Sequence, residues 1–443
     1  MELIQGKCED IYYPNPETTR KECIPTKQTT KYVQAFNSLG AGTNTFLIPA
    51  NFGLQQVCIQ MRLPSLASSG GTGLAINRGW GYGLIKQVSY RIGGSTQFFV
   101  TGAQLLQHAL KRMTNQQAKD DLLTLGGAYI TGTGFEATSI TSASVTTVVP
   151  AQNFAYVFLD LPFTRATSEG MPAPLPSDVL GSNVQITVEL AALSDLVVNN
   201  GGTASNLATL ASAQFQVQQV LMASRDDSLA VRENMATHQL VYPVEFVQQE
   251  QVVSVQNTAS VQSVTATGFR AGSVKSIECW LTRDSWADAT GLSVAGASPA
   301  GIVVGGKNPL KWIAPQAVTC TYAGDVYARF DAGMSQLWNL VNSKHSPYVN
   351  AVDLSYASST YTSTGTQYQW ATLPFAQTYD VANTSDFMLV EGLAVTNGIV
   401  NISFQIPPIY QAYGSTTNDW KLHLSYIYNA SAVFSQSSCE LVF

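Results

Sequence analysis

The sequence predicts an all-β protein that contains two tandem antiparallel β-sandwich domains, and three observations support this prediction. Its 443 residues exceed what one ordinary hydrophobic core accommodates. Short runs rich in Val, Ile, Phe and Tyr alternate with segments rich in Gly, Pro and Asn, which is typical of sandwiches. A series of landmarks in the first half also recurs in the same order in the second half.

The predicted strands are distributed over the whole chain. In the first half they cover residues 55–63, 84–92, 154–161, 184–190 and 214–222. In the second half they cover residues 239–247, 274–282, 325–331, 387–395, 400–406 and 420–428. Because each run is short and turn-forming residues separate the runs, an antiparallel arrangement is favoured over a parallel α/β fold.

Helices are few and short. The first is predicted to begin at Thr101, where Thr101 and Gln104 match a capping box, and its apolar stripe consists of Leu105, Leu106, Ala109, Leu110 and Met113. The second follows Gly333, with apolar residues at helical spacing at Met334, Leu337, Trp338 and Val341. A third lies near residues 224–236, has acidic residues in its first turn, and is expected to bridge the two domains.

The recurring landmarks indicate an internal duplication. Each half contains a strand, a helix at 102 or 334, a Leu-Pro-Phe motif, a strand at 184 or 400, and a strand ending in Ala-Ser at 223 or 430. The four offsets are 334 − 102 = 232, 373 − 161 = 212, 400 − 184 = 216 and 430 − 223 = 207, and all are close to half of the 443 residues. No single pair is specific, but four pairs in one order favour a repeated β-domain.

These features divide the chain into four parts. We expect a proline-rich N-terminal arm over residues 1–29, a first β-domain over 30–224, a helical linker over 225–237 and a second β-domain over 238–443.

The composition is unusually poor in charge. Charged residues make up 12% of the chain, against roughly 25% in an average soluble protein. Ser, Thr, Asn, Gln and Gly take their place, and a neutral polar surface suits a protein that stands beside copies of itself, because few ions need desolvation on contact. A carbohydrate-binding or secreted β-protein would have a similar composition. The net charge of −6 argues against direct nucleic-acid binding, which needs a basic surface.

The cysteines and the hydropathy pattern bear on the compartment. Six cysteines are widely spread without a CxxC pair, and we expect isolated thiols, most of them filling the core, in a reducing compartment: Cys8, Cys23, Cys58, Cys279, Cys320 and Cys439. The start MELIQGKCED lacks the pattern of a signal peptide, and no run of 18 apolar residues occurs. We therefore expect neither signal-directed export nor a transmembrane segment.

Several stretches resemble the double jelly-roll major capsid proteins of large icosahedral DNA viruses, virophages and polinton-like viruses. VSYRIGGSTQFFVTGAQLL (88–106) is similar to the family's strand, Ile-Gly-Gly turn and helix. VFLDLPFTRATSEGMPAPLPSDVLGSNVQITVEL (157–190) is similar to its Leu-Pro-Phe, Leu-Pro and strand segment. GWGYGLIKQVSYRIGG (79–94) most resembles the polinton-like and virophage members, and the ending at 420–443 resembles the closing strands. Thr164-Arg165 replaces the Trp-Phe that usually follows Leu-Pro-Phe in the large-virus members, which leaves the subfamily open.

The resemblance implies a fold and a function. The expected fold is two tandem jelly rolls, each an eight-stranded antiparallel β-sandwich, with a few short inserted helices. The expected function is that of a structural capsid protein. Three chains would form a pseudo-hexameric homotrimer that tiles an icosahedral shell, in the virion, with penton and minor capsid or cement proteins as further partners. The N-terminal arm would lie beneath the trimer. The long loops at 132–150, 192–213, 284–308 and 355–369 would cluster at one end and face outward.

No catalytic, cofactor-binding or metal-binding residue emerges from the motifs. GIVVGGK (301–307) matches the spacing of a phosphate loop, but Asn308 replaces the required Ser or Thr and Pro309 follows. GWGYG (79–83) lacks the strand–helix setting of a dinucleotide fingerprint. The four histidines have no metal spacing and are expected to be ordinary core or surface residues: His108, His238, His345 and His423.

Two other classes of function remain open at this point. A surface adhesin or carbohydrate-binding sandwich would bind glycans. A β-sandwich hydrolase would need a converging set of acid, base and nucleophile, for which the sequence offers only the carboxylate pairs Asp226–Asp227 and Asp325–Asp331 and no GxSxG elbow. The sequons at Asn383, Asn401 and Asn429 would matter only in a secretory compartment, and two of them fall in predicted strands.

Overall fold

A computed structural model describes the following residues: 26–48, 53–64, 66–69, 74–76, 79–92, 97–112, 116–127, 130–131, 146–148, 154–159, 184–196, 198–200, 203–205, 207–222, 233, 240–248, 250–258, 260–270, 272–283, 304–305, 312, 314–329, 370–375, 393–395, 399–406, 420–434 and 439–442. All structural statements below concern these residues.

The first half of the described chain consists of strands with three α-helices and one 3₁₀ helix (Leu193–Asp195) inserted. The strands are β1 (Thr26–Ala35), β2 (Gly42–Ile48), β3 (Gly53–Arg62), β4 (Leu66–Ser69), β5 (Leu74–Ile76), β6 (Ile85–Ile92), β7 (Gln97–Val100), β8 (Ile130–Thr131), β9 (Thr146–Val148), β10 (Phe154–Phe158), β11 (Val184–Leu190), β12 (Val198–Asn200), β13 (Thr203–Ser205) and β14 (Ser212–Met222). The helices are α1 (Trp80–Leu84), α2 (Gly102–Arg112) and α3 (Gln116–Leu125).

The second half of the described chain continues with strands. They are β15 (Leu240–Val247), β16 (Gln251–Val255), β17 (Gln262–Ala266), β18 (Ser273–Arg283), β19 (Val304–Gly305), β20 (Gln316–Tyr322), β21 (Asp325–Arg329), β22 (Ala371–Pro374), β23 (Leu393–Ala394), β24 (Val400–Gln405), β25 (Trp420–Phe434) and β26 (Cys439–Val442).

Two four-stranded antiparallel sheets form the first domain. Sheet X1 has the order β1-β14-β3-β10, and sheet Y1 has the order β2-β11-β6-β7. If these eight strands are counted along the chain, X1 contains the first, eighth, third and sixth, and Y1 contains the second, seventh, fourth and fifth. This strand order is that of a jelly roll.

The second domain repeats the same order. In sheet X2, β15 and β16 pair with successive parts of β25. Strand β25 pairs with β18, and β18 pairs with β22. Sheet Y2 has the order β17-β24-β20-β21. The predicted fold of two tandem jelly rolls is therefore confirmed. The landmark strands at 184 and 400 are β11 and β24, the seventh strands of their respective domains.

The core of each domain lies between its X and Y sheets because side chains alternate along each strand. In β11 the inward residues are Val184, Ile186, Val188 and Leu190, all buried. Phe46 of sheet Y1 stacks on Phe215 of sheet X1, with ring centroids 4.3 Å apart. Burial of each such apolar side chain contributes roughly 1.5 to 3 kcal/mol to the free energy of folding. The alternation of apolar residues along the strands therefore determines which faces of the two sheets pack together.

The first predicted helix is confirmed together with its cap. In α2 the Thr101 backbone N–H donates to Gln104 Oε1 at 3.0 Å, and the Gln104 backbone N–H donates to Thr101 Oγ1 at 3.2 Å. Leu105, Leu106 and Leu110 of the predicted stripe are buried. The helix predicted after Gly333 lies outside the described residues, as does the bridging segment 224–236 apart from Glu233.

The long connections of the first jelly roll meet in two small sheets. Strands β13, β4 and β9 form one, and β19, β12, β5 and β8 form the other. These two sheets contain strands from the connections that follow the third, fifth and seventh strands of the first domain. Strand β19 of the second domain joins them by pairing with β12. The described parts of loops 132–150, 192–213 and 284–308 contribute to these sheets. The loop at 355–369 lies outside the described residues.

The predicted domain bounds remain predictions. Strand β1 begins at Thr26, four residues before the position at which the first jelly roll was expected to start.

Candidate assembly surfaces

Each of the four main sheets has an outer face, defined here as the face turned away from the core of its own jelly roll. The outer faces differ in how much they are covered. A buried outer face marks a surface through which one jelly roll contacts another part of the chain.

The central part of the outer face of sheet X2 is buried, whereas Val252 on its β16 strand is 46% exposed. Its outward residues include Ser276 (0% exposed), Glu278 (0%), Thr372 (3%), Ser425 (1%) and Ile427 (2%). The Glu278 carboxylate accepts hydrogen bonds from Thr372 Oγ1 at 2.6 Å and from Ser276 Oγ at 3.3 Å. A buried carboxylate needs such donors, since an uncompensated charge in a dry interior is costly.

Helix α2 of the first jelly roll contacts this face. Gln104 Nε2 donates to Ser425 Oγ at 2.7 Å and to the backbone carbonyl oxygen of Gln248 at 2.8 Å. The same side chain accepts the capping bond from Thr101 through Oε1. Gln104 is itself buried, so one amide group joins the start of a helix in the first jelly roll to the sheet of the second. The outer face of X2 is therefore the contact surface between the two jelly rolls of the chain.

An aromatic cluster with one histidine continues this face. Trp280 lies 5.9 Å from Trp312 between ring centroids, and Trp312 lies 6.4 Å from Trp370. The His423 ring stacks on Trp280 at 5.3 Å. All three tryptophans are buried.

His423 also connects two polar side chains. Its Nε2 atom lies 2.7 Å from Thr282 Oγ1, and its Nδ1 atom lies 3.4 Å from Glu250 Oε2. The arrangement has the residue types of a hydroxyl, base and acid relay. However, Thr282 lies within strand β18, opposite Lys421, whereas a nucleophile elbow lies on a sharp strand-to-helix turn. Thr282 therefore does not occupy the position of a nucleophile on such an elbow.

The outer face of sheet X1 has a different composition. A row of glutamines crosses strands β3 and β14, and an aromatic row on β10 flanks it; the outward residues are Gln56, Gln60, Gln214, Gln216, Phe154, Tyr156 and Phe158. Gln60 Nε2 donates to the Tyr156 hydroxyl at 3.3 Å, and the Arg62 guanidinium lies 5.4 Å from the centroid of the Phe154 ring. Gln214 is exposed, as are Val33 (47%) and Phe158 (37%). This face is only partly exposed in the single chain, because Cys58 (9%) and Gln216 (8%) at its centre are buried.

The outer faces of sheets Y1 and Y2 carry hydroxyl and amide groups. In Y1, Thr45 Oγ1 lies 3.3 Å from Thr187 Oγ1 across β2 and β11. In Y2, Thr265 Oγ1 donates to Asn401 Oδ1 at 2.8 Å across β17 and β24. The outer side of Y1 also carries an ion pair, in which Lys86 Nζ lies 2.6 Å from Glu189 Oε1.

The described parts of two glycine-rich motifs lie in regular secondary structure. In GIVVGGK, Val304 and Gly305 form β19 and pair with β12, whereas a phosphate loop would open a helix. Lys307 and Asn308 lie outside the described residues.

GWGYG forms the buried helix α1. Trp80 and Tyr82 are fully buried, and Gly79 has φ 74°, a conformation that favours glycine. A Cβ atom on Gly127 (φ 127°) would come within 2.4 Å of the Trp80 ring. These glycines are needed for turns and close packing.

The remaining candidate residues are scattered. His108 is buried on α2, Asp325 is exposed at the start of β21, and Asn401 and Asn429 lie in β24 and β25 as predicted. The others lie outside the described residues: His238, His345, Asp226, Asp227, Asp331 and Asn383. Within the described chain, no three His, Cys, Asp or Glu side chains are grouped as metal ligands. No helix in that same portion is long and apolar enough to span a membrane.

The cysteines whose side chains are described match the prediction. Cys58, Cys279 and Cys320 are buried and form no disulfide within the described chain. Burial raises the pKa of the Cys320 thiol to about 12. Burial, with smaller contributions from Glu278 and Cys320, raises the pKa of Cys279 well above its ordinary value.

Solved structures with the same architecture are capsid proteins. The chain aligns with a chain of the PBCV-1 virus capsid over 95% of its own length and 96% of that chain, with a TM-score of 0.61 and 12% identity. It aligns with a chain of the Sputnik virophage over 96% and 90%, with a TM-score of 0.57 and 10% identity. For the Faustovirus major capsid protein both coverages are 98%, with a TM-score of 0.55 and 10% identity.

The chain has the fold of the double jelly-roll major capsid proteins. The resemblance noted in the sequence is thus confirmed at the level of the fold. No protein-family model matches the sequence, and no curated protein matches it.

Sequence reasoning did not identify the contact residues of this double jelly roll. The spacing of Thr101 and Gln104 predicts the cap of α2 but does not predict the contact of Gln104 with the second domain. The glutamine row of X1 does leave a signal, because Gln214, Gln216 and Gln218 occupy every second position of a predicted strand.

Proposed function

We propose that this chain is a structural major capsid protein that forms homotrimeric, pseudo-hexameric capsomers of an icosahedral virus shell. The observation that carries the proposal is the presence of two jelly rolls with one strand order in a single chain, in contact through the outer face of X2. Three such chains place six similar domains around a threefold axis, and a six-sided block tiles a facet. The capsid identity of the aligned structures supports the same function.

The surface chemistry supports assembly as well. The outer faces of X1, Y1 and Y2 display hydroxyl, amide and aromatic groups with few charges, and such faces associate without desolvating many ions. The protein would act by shape and would catalyse no reaction. Its location would be the virion, where penton and minor capsid or cement proteins are its further partners.

Negative-stain electron microscopy and sedimentation of the purified protein at neutral pH test the proposal. We expect a particle of three times 47.6 kDa with a near-hexagonal outline. Elongated monomers or irregular oligomers would refute it and would direct attention to the adhesin or carbohydrate-binding alternative, for which a glycan array is the measurement.

The N-terminal arm is proposed to tie capsomers to neighbours or to minor capsid proteins. Because β1 begins at Thr26, the deletion should remove residues 1–25 only. We expect trimers to persist and shell assembly to fail. Normal assembly of the truncated protein would exclude this role.

A further inference from the structure

We propose that the exposed strand β21 of the second jelly roll is the docking site for residues 1–25 of a neighbouring copy, which add to sheet Y2 as a fifth strand. The inference rests on the proposed function and deepens it, since it names the surface that the N-terminal arm of one copy binds on the next.

Strand β21 lies at the edge of sheet Y2. It pairs with β20 on one side, and no strand of the described chain pairs with its other side. Val326 (61%) and Tyr327 (49%) on this strand are exposed. Ile399 (65%) lies beside the turn that precedes the strand, where its carbonyl oxygen accepts a hydrogen bond from the Ala323 backbone N–H at 3.2 Å. An exposed edge with apolar side chains is a template for the addition of another strand.

The equivalent edge of the first jelly roll is better covered. There the fifth strand is β7, whose Val100 packs against the core, and helices α1 and α3 contact β10 at the edge of the facing sheet. In the second jelly roll, Tyr327 packs edge-on against Phe375 at 5.6 Å and against Tyr322 at 6.0 Å, between ring centroids. Two rings therefore hold Tyr327 in place while about half of it stays accessible to a partner.

The arm and the turn before β21 lie at the same end of the molecule. Because neighbouring strands are antiparallel, the odd-numbered strands of each jelly roll begin at one end. The first strand of the first jelly roll begins at Thr26, and the fifth strand of the second begins after the Ala323–Gly324 turn. The opposite ends of the two jelly rolls are joined by the pairing of β19 with β12, so both jelly rolls point the same way.

The length of the arm allows it to reach another copy. Residues 1–25 span up to roughly 80 Å when extended, at about 3.3 Å per residue. Since β21 is exposed in the single chain, the arm that covers it comes from a neighbour.

The sequence of the arm contains one segment suited to this edge. Its longest run of strand-forming residues is Ile11-Tyr12-Tyr13, and Pro14 follows directly. Proline lacks the backbone N–H that a strand needs, so the added strand would end there.

Charge and ring pairing select one register. An antiparallel strand that places Tyr12 opposite Tyr327 also places Asp10 opposite the exposed Arg329. Cross-strand pairs of aromatic residues and of opposite charges both stabilise a sheet.

Photocrosslinking with peptide-level mass spectrometry tests the site. ¹⁵N-labelled full-length chains with Val326→p-benzoylphenylalanine are mixed with an excess of light wild-type chains and illuminated. The matched control carries the same photoreactive residue at Val261, which is equally exposed (59%) and lies in the connection before β17 at the far end of the jelly roll. We expect position 326 to capture light peptides of residues 1–25, and position 261 to capture none of them.

The outcomes separate the docking site from the proposed function. Capture of labelled arm peptides only, of other parts of the chain only, or of arm peptides equally at both positions would overturn the docking site. Sedimentation of the same samples tests the trimer separately: a trimer without arm capture overturns the docking site alone, whereas a monomer overturns the proposed function.

A charge exchange tests the register. Asp10→Arg and Arg329→Asp should each lower the capture of the arm at position 326 about threefold to fivefold, the effect of an exposed ion pair, and the double variant should recover most of it. Glu2→Arg makes the same charge change outside the paired segment and should have less effect. Equal capture in all these proteins, or an equal loss with Glu2→Arg, would overturn the pairing of Asp10 with Arg329.

Discussion

Sheets X1 and X2 share a strand order and a core arrangement but differ in their outward side chains. X2 turns a carboxylate, hydroxyls and Trp280 outward and buries all of them. X1 turns glutamines and a row of aromatic rings outward and leaves several exposed. The inward residues are fixed by the jelly roll itself. In X2 the described outward residues Ser425 and Glu278 are buried, and Ser425 is bonded by Gln104 of the other jelly roll, whereas in X1 Gln214 and Phe158 are exposed.

The largest expected difference between the two faces comes from truncating an aromatic residue on each. Trp280 is buried and stacks on His423, so Trp280→Ala should leave a cavity and cost about 3 to 5 kcal/mol of stability. Tyr156 is partly exposed, and Tyr156→Ala should cost about 1 kcal/mol or less in the dissociated chain. Urea denaturation at one low protein concentration measures both. Similar losses would contradict the proposed difference in cover.

Gln104 provides the next largest effect because it serves both jelly rolls. Gln104→Ala removes two hydrogen bonds to the second jelly roll and half of a capping box, which together should cost about 2 to 3 kcal/mol. The control is Gln117→Ala on α3, where an exposed side chain bonds only Asp121 in the described chain and the cost should stay below about 0.5 kcal/mol. If Gln104→Ala is no worse than this control, Gln104 does not hold the two domains together.

The sequence predicts the local features of the two domains, which are strand bounds and a helix cap. Alternation places β11, β18 and β24 with nearly correct bounds, and the spacing of Thr101 and Gln104 predicts the cap of α2. The contact of Gln104 with Ser425 spans 321 positions, and no local pattern specifies it. For the same reason Glu278 has the pattern of an ordinary strand position. Its burial depends on the other jelly roll.

A smaller effect separates a buried from an exposed hydroxyl. Thr372→Val removes the 2.6 Å hydrogen bond to the buried Glu278 carboxylate and should cost roughly 1 to 3 kcal/mol. Thr265→Val removes a 2.8 Å bond to Asn401 on the exposed face of Y2, where water replaces the lost partner, and should change stability by about 0.5 kcal/mol at most. Thermal and urea unfolding of the two variants measure these losses of stability. Equal losses in Thr372→Val and Thr265→Val would contradict the burial of Glu278.

The smallest effect is a difference in thiol reactivity between the jelly rolls. Cys279 and Cys320 lie in the core of the second jelly roll, and their raised pKa values keep them protonated at pH 8, so they should resist a maleimide until the domain unfolds. Cys58 points to the outer face of X1, between Gln216 and Phe158, and retains 9% exposure. It should therefore be the first of the three to react in dissociated chains. Labelling of Cys279 before Cys58 would contradict the assignment of inner and outer faces.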